Sequence, residues 1–344
     1  MKTWQKISQS ASLRDSFRTR ARLIQAIREF FADRDFDEVE TPLLVRSPGT
    51  EPYLEVFETA LTAQENQAQP AYLLTSPEYA MKKLLVAGYE RIYQVCKSFR
   101  NAEPLSQRHN PEFTILEWYR AHADYTRIMA DCEALLLFLC LKLKNSHILE
   151  YQGVTYDLSQ PALRLTVAQA FWQFAQIDQA VLFSEKNLPA KVFEMGLTRD
   201  QHSTWEEAFH IVLLNKIEPY LGKTRLTILY EYPVSQAALA RVKPENPLVA
   251  ERFELYLAGL ELGNAFSELT EWQEQESRLR AELRLRTELG KTDYQIDSDF
   301  IDALKSGMPE SGGIAVGVDR LVMLFANVSS IAETLFFPAT EIFE

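Results

Sequence analysis

The sequence predicts an α+β fold, an antiparallel sheet flanked by helices with a helical insertion in its middle. Two observations carry that expectation. Strand-like runs come as hairpin pairs, RIYQVCKSF with FTILEWY and RFELYL with LELG, rather than in regular βα alternation. Blocks of helical periodicity interrupt them, at residues 14–34, 122–145 and 162–222. At 344 residues and 47% apolar composition, the chain can bury a large core. We expect a single domain over residues 1–344, with the insertion at about 122–222 and neither internal repeats nor low-complexity tracts.

In chain order, Leu23, Ile24, Ile27, Phe30 and Phe31 mark one face of a helix over 14–34, ended at Asp33 to Asp35. FDEVETP follows as an extended segment stopped by Pro42. AYLLT at 71–75 reads as a buried strand. Ser76-Pro77-Glu78 is a helix start, with a hydroxyl N-cap, proline at the first helical position and an acid in the first turn. Gly88 ends that helix. A strand then runs to Arg100, a polar loop carries Arg108, His109 and Asn110, and a second strand begins at Phe113. Residues 122–145 and 162–222 are helical, with ILEYQGVTYDLS as a hairpin between them. From Arg225 the strand pattern resumes, and Gly312 to Arg320 leads into an apolar helix that starts near Asp319.

Composition excludes several classes. No run of about 18 uncharged apolar residues exists, so no membrane span is expected. The N-terminus lacks an apolar signal core. Cys96, Cys132 and Cys140 lack CxxC spacing and read as buried thiols of a reducing cytosol, and the five histidines form no HExxH pair, so a catalytic zinc is not expected. A net charge of −12 would on average repel a polyanion.

Chemistry concentrates in four segments. Period-two alternation puts Phe113, Ile115, Glu117 and Tyr119 on one sheet face and Thr114, Leu116 and Trp118 on the other. Glu117 is either a solvated rim acid or a pocket acid that meets a ligand cation. With Ala258-Gly259 as a hairpin turn, Tyr256 faces Glu261, and Glu254 is their neighbour on that face. Two carboxylates so close suit Mg²⁺ brought by a nucleotide, unless residues 249–258 form a helix with Glu254 in water. Glu78 and Glu268 add two acids, which together make a cation hole suited to a lysine-shaped substrate. The glycines between Gly312 and Gly317 allow close backbone approach, and a helix start beside Arg320 suits anionic oxygens, although a tight turn is the commoner use of such spacing. Arg100 and Arg320, on two distant segments, fit a bent nucleoside triphosphate.

These segments resemble the motifs of a known family. Phe99-Arg100-Asn101 with Arg108-His109-Asn110-Pro111-Glu112-Phe113 looks like motif 2 of class II aminoacyl-tRNA synthetases of the lysine type. Gly313 to Leu321 looks like motif 3, and the helix with Glu40-Thr41-Pro42 looks like motif 1. The similarity runs from about residue 13 to the C-terminus. Three departures from lysyl-tRNA synthetases are similar to the freestanding paralogues that ligate lysine to elongation factor P. Motif 1 begins almost at once, so no N-terminal anticodon-binding domain is expected. Ala315 stands where those synthetases have glycine, and Pro233 to Ala240 replaces their usual Pro-Leu ending.

The resemblance implies a class II catalytic core with ATP and Mg²⁺ as cofactors. ATP would be contacted by Arg100, Asn101, Ala102, Glu103, His109, Asn110, Phe113, Glu261, Leu262, Gly317 and Arg320. Within that set Arg100 and Arg320 are catalytic, on the α- and γ-phosphates, His109 aids the bent triphosphate, and Phe113 stacks on adenine. Ser76, Pro77, Glu78, Glu117, Tyr119, Asn264, Phe266, Glu268 and Ala315 would hold lysine or (R)-β-lysine, with Glu268 on the distal ammonium. Glu254 and Glu261 would hold Mg²⁺. The motif 2 loop is one residue longer than the family's, leaving open whether Ala102 or Glu103 faces the nucleotide. Ala265 replaces a glycine and is expected to narrow the pocket or shift Phe266. Elongation factor P is the implied protein partner, the motif 1 helix the implied homodimer contact, the cytoplasm the implied location, and tRNA is not expected as a partner. Three rival readings share this core: a tRNA-charging enzyme, an ammonia-using asparagine synthetase, and a non-catalytic amino-acid sensor. Net charge opposes the first, Glu268 the second, and the presence of both arginines the third.

Overall fold

Hairpins with tight turns build the centre of the sheet, and long crossovers build its edges. The structure, a computed structural model, describes residues 3–62 and 68–343. Its main sheet has eight strands: β1 (Asp37–Glu38), β2 (Arg91–Phe99), β3 (Glu112–Ala121), β4 (Leu163–Thr166), β5 (Thr227–Pro233), β6 (Val249–Leu257), β7 (Leu260–Ser267) and β8 (Ser311–Gly317). Their spatial order is β1-β2-β3-β8-β7-β6-β5-β4. The six central strands are antiparallel, as the hairpin pattern predicts. Both edges differ from the expectation: β1 runs parallel to β2, and β4 parallel to β5. A parallel neighbour requires a crossover. Here one crossover carries helix Glu78–Val86 and the other carries the helical group after β4.

Period-two alternation divides the sheet into two faces. Leu116, Trp118, Phe253, Leu255, Ile314 and Val316 enter the main core, covered by helices Ala11–Ala32, Tyr125–Lys144 and Val318–Ala326. The opposite face, with Tyr119 and Phe266, packs against helices Glu78–Val86, Trp272–Glu288 and Ser298–Gly307 and forms the floor of the cavity described below. Helix Tyr125–Lys144, expected as the first part of the insertion, instead completes the main core through Ile128, Cys132, Leu135 and Leu139. Leu163 to Thr166, expected as helix, is the edge strand β4. The compact helical group lies after it, where Ala170, Phe171, Phe209 and Val212 pack on Leu165 and Leu229.

Local chemistry explains the boundaries near the site. Helix Glu78–Val86 begins two residues after Ser76, whose hydroxyl accepts from the Glu78 N–H at 3.1 Å although Pro77 is the capping position. The β6–β7 hairpin turns on Ala258 (φ 56°) and Gly259 (φ 71°), the two left-handed positions of a type I′ turn. Residues 249–258 are therefore not a helix, and Tyr256 pairs with Glu261 as expected. Ala71 to Leu73 end a strand of a separate three-stranded sheet, Leu44–Val45, Phe57–Thr62 and Ala68–Leu73. Cys132 and Cys140 are buried, Cys96 only partly, and all three thiols are free. Among the described residues, no helix is long and apolar enough to cross a membrane.

Candidate active site

Arg100, at the end of β2, and Arg320, in the first turn of helix Val318–Ala326, line one cavity of about 240 Å³. The end of β2, the neighbouring strands β3, β8 and β7, and helix Glu78–Val86 bring them there together with Ser76, Glu78, Glu103, His109, Asn110, Phe113, Tyr119, Glu261, Leu262, Asn264, Phe266, Glu268, Ala315 and Gly317. Two segments more than 200 residues apart thus share the cleft that the paired arginines require.

At the cationic end, the Arg100 guanidinium lies 5.2 Å from the Phe113 ring centroid and 3.7 Å from the Glu103 carboxylate. Arg320 donates to the Glu261 carbonyl at 2.6 Å and lies 3.5 Å from Nε2 of His109, whose Nδ1 is 2.9 Å from the Ser106 hydroxyl. Burial first, and then the Arg320 charge, push the His109 imidazole below its usual range. A neutral imidazole beside two arginines adds no charge of its own to that end. Asp319 fixes the helix start by accepting from the Thr114 N–H at 2.8 Å and from Arg20, which also donates to the Thr114 hydroxyl at 2.6 Å.

The motif 2 loop settles which residue faces the cavity. Ala102 is left-handed (φ 56°), with its N–H on the Asn101 side chain at 2.8 Å, and the Asn101 amide reaches back to the Val56 carbonyl at 3.3 Å. Glu103 therefore lines the wall, while Asn101 and Ala102 shape the turn behind it. Pro77 likewise lies behind the wall. The expected metal pair is divided: Glu261 faces the cavity, whereas Glu254 is not in its lining, held by Tyr256 OH at 2.6 Å and Arg252 at 2.8 Å. Burial raises the Glu261 carboxyl, and the Glu254 charge adds to that effect. A Mg²⁺ arriving with phosphate oxygens would thus meet Glu261 directly, with Glu254 behind it, which suits an ion that keeps few protein ligands of its own.

At the acidic end, Glu117 is fully buried and is not the solvated rim acid. It accepts from the Ser76 hydroxyl at 2.5 Å and from Tyr119 OH at 3.0 Å. Burial, followed by the Glu78 charge, pushes its carboxyl up to about 8. It lies beneath Ser76 and Tyr119, not in the cavity lining, so it meets the cavity through them. Gly313 serves a different purpose from the expected one: a Cβ there would come within 2.2 Å of the Tyr119 ring and 2.8 Å of Glu268 Oε1. The missing side chain thus makes room for the protein's own acid and phenol, not only for a ligand. Ala265 points into the main core and is absent from the lining, so the expected narrowing of the pocket at that position does not occur.

Several residues in and behind the cavity wall escaped the sequence reading. Lys82, behind the wall, pairs with both Glu78 and Glu268, and its place one helical turn after Glu78 is a spacing that more often marks a solvated pair. Thr50, Glu51 and Glu282 form a further polar wall, where Thr50 bonds Glu282 and lies 3.2 Å from Tyr79 OH. Nothing in the local pattern singles these out, since Glu282 is one acid among many on a polar helix. Ala238 and Leu239, from the segment noted for its unusual ending, close another side.

A family model described as tRNA synthetases class II (D, K and N) matches residues 2–341. This chain belongs to that family. It is also 39% identical, over 97% of both chains, to the elongation factor P--(R)-beta-lysine ligase of Salmonella paratyphi B, and 40% identical over the same share to that of Salmonella gallinarum. The Salmonella arizonae ligase of the same name is 39% identical over 97% of each chain. Within the class II family, the chain thus groups with ligases, and it is a ligase built on a synthetase core. The eight-stranded sheet and its three-helix layer are the family's α+β core in this chain.

Proposed function

We propose that this ligase activates lysine or (R)-β-lysine as an aminoacyl-adenylate and transfers it to a lysine side chain of elongation factor P. The observation that carries this reading is the polarity of one cavity: two arginines and a neutral histidine at one end, and Glu78 and Glu268 at the other, with Glu117 buried beneath Ser76 and Tyr119. A triphosphate and a diamino acid are complementary to those two ends. The acceptor and the isomer come from the relatives' names, and cytoplasmic location follows from that acceptor and from the free thiols.

In the first step a carboxylate oxygen of the amino acid attacks the α-phosphorus, and the bond to the bridging oxygen of the β-phosphate breaks to release pyrophosphate. The nucleophile is already ionised, so rate comes from positioning and charge neutralisation. Arg100 takes the α-phosphate, Arg320 with His109 the γ-phosphate, and Phe113 stacks on the adenine. Glu261, backed by Glu254, would hold Mg²⁺, which when bound neutralises phosphate charge. Tyr119, Asn264, Phe266 and Ala315 shape the amino-acid slot. In the second step the acceptor amine attacks the acyl carbon, the bond to AMP breaks, and the amine's proton leaves to solvent. We further propose a homodimer, which sedimentation velocity would report as twice the chain mass; a monomer at micromolar concentration would refute it.

The decisive experiment is intact mass of elongation factor P after incubation with ATP and each lysine isomer. A single aminoacyl increment with one isomer is expected, and labelling of bulk tRNA instead would favour the charging enzyme. Arg100→Ala should abolish isomer-dependent pyrophosphate exchange while circular dichroism stays unchanged. Near-normal exchange would mean that the α-phosphate lies elsewhere.

A further inference from the structure

The two acids that face the amino-acid end of the cavity already share a cation. Lys82 is 1% exposed, and its Nζ lies 2.5 Å from Glu78 Oε1 and 2.5 Å from Glu268 Oε2. Glu78 and Glu268 line the cavity and Lys82 does not, so the ammonium sits behind the carboxylates. Glu78 and Lys82 are one turn apart on one helix, and Glu268 arrives from the end of β7. The titratable groups that bear on this cluster are Glu117 and Tyr119 from β3, and Glu51, Tyr79 and Glu282, which feel the Glu78 charge; Lys82 is the cation that acts on Glu268.

Burial alone would strip a lysine of its proton. Here burial is outweighed by the two carboxylates, and the Lys82 ammonium is raised above its usual range. One ammonium between two ionised carboxylates leaves one negative charge uncompensated, and burial, working against Lys82, accordingly pushes the Glu268 carboxyl up to about 7. Glu268 lines the cavity, and its Oε1, the oxygen not paired with Lys82, is buried, has no hydrogen-bond partner, and lies where Gly313 lacks a Cβ. A buried acceptor left without a partner carries an unrecovered desolvation cost, and a ligand donor would relieve it.

We propose that Lys82 is the built-in counter-ion of the amino-acid slot, a positioning residue that aims Glu78 and Glu268 so that the slot accepts one further ammonium. The proposal rests on the preceding reading of the slot as a diamino-acid site. It explains how the half-buried Glu78 and the buried Glu268 stay side by side before substrate arrives. It also explains discrimination against amino acids with neutral side chains, which would leave the uncompensated charge unpaired.

The test uses the full-length protein and three variants, Lys82→Met, Lys82→Gln and Lys82→Arg. Binding of L-lysine and of (R)-β-lysine is measured by calorimetry without ATP between pH 6.5 and 8.5. Without the ammonium, the two carboxylates repel and take up a proton, so K82M and K82Q should bind the preferred isomer at least ~10-fold more weakly at pH 7. That deficit should shrink as pH rises, whereas K82R should keep the wild-type profile. A deficit equal at all pH values, or equal in K82R, would mean that Lys82 only supports the helix, and would overturn the proposal.

In wild-type protein, the ¹⁵N signal of the Lys82 ammonium should persist to pH 9; a neutral or freely exchanging amine would overturn the proposal even if no variant folds. Carboxyl ¹³C titration without ligand separates the two readings. If neither isomer binds wild type yet K82M displaces the Glu268 titration upward, the diamino-acid reading fails and the counter-ion stands.

Discussion

Glu117 carries the strongest link between burial and chemistry in the site. Its carboxyl, pushed up to about 8, keeps a proton in the folded protein that the unfolded chain would release near 4.5. The folded state binds more protons across that window, so the stabilising term is fully present below the ordinary value and is lost as pH rises through about 8. Glu117→Gln keeps a neutral partner for Ser76 and Tyr119 but removes the titration. Its melting temperature should fall less steeply than wild type's between pH 6 and 9, and parallel curves would show that Glu117 does not titrate there. Ala315 lies in register with Glu117 and Asn264, with its methyl in the cavity wall. Ala315→Gly should move relative activity toward α-lysine by about 10-fold, the scale of one methylene in a pocket. An unchanged isomer ratio in pyrophosphate exchange would remove the methyl as selector. The face that Glu117 occupies was legible because strand periodicity is strict. Its depth was not, since burial depends on Ser76 and the helix laid over it. Glu268 was legible as an acid of the slot, but its partner Lys82 was not, because an (i, i+4) pair on a helix is usually solvated.

Helix starts and hairpin turns were the most readable elements, and edge strands the least. Gly317 and Arg320 announce helix Val318–Ala326, and Ala258-Gly259 announces the β6–β7 turn, because each depends on a few adjacent residues. Leu163 to Thr166 has four residues of weak alternation between helical blocks, and only its pairing with β5 makes it a strand. The position of helix Val318–Ala326 depends on a contact that no local pattern reveals. Asp319 is 2% exposed and joins the helix to β3 through the Thr114 N–H and to helix Ala11–Ala32 through Arg20. Removing one member of a buried ion pair leaves the other uncompensated and costs about 3–5 kcal/mol. Asp319→Ala should lower the unfolding free energy by that amount, read as a shift of the urea midpoint at unchanged slope. It should also raise KM for ATP, since Arg320 is the next residue. A loss below about 1 kcal/mol would mean that Arg20 finds water or another acid.

Across the whole molecule, the cavity is closed by a strap whose anchor lies far away in sequence. Arg286, on helix Trp272–Glu288, is fully buried and donates to the carbonyls of Glu51 at 2.8 Å, Leu54 at 2.6 Å and Thr292 at 3.1 Å, with its guanidinium 4.7 Å from the Tyr294 ring centroid. Tyr294 OH in turn donates to the Gly49 carbonyl at 2.6 Å. The loop so held delivers Thr50 and Glu51 to the cavity wall, and beyond them Tyr53 bonds Glu206 of the helical group. Core, strap and helical group are thus linked by polar contacts between carbonyls and side chains. Hydrophobic periodicity carries no information about such contacts, which is why the core helices were legible and this wall was not. Arg286→Met keeps the length and apolar character of the stem but leaves two strap carbonyls and that of Thr292 without their donor. Each unsatisfied buried acceptor costs about 1–3 kcal/mol. Relaxation of the loop toward water should hold the loss in melting experiments to about 3–5 kcal/mol, the range for breaking a buried charged contact. Because Thr50 lies beside Tyr79 and the Glu78 charge acts on Glu51 ahead of that of Arg100, the variant should raise KM for the amino acid more than KM for ATP. Equal effects on both substrates would mean that the strap supports the sheet as a whole rather than the slot.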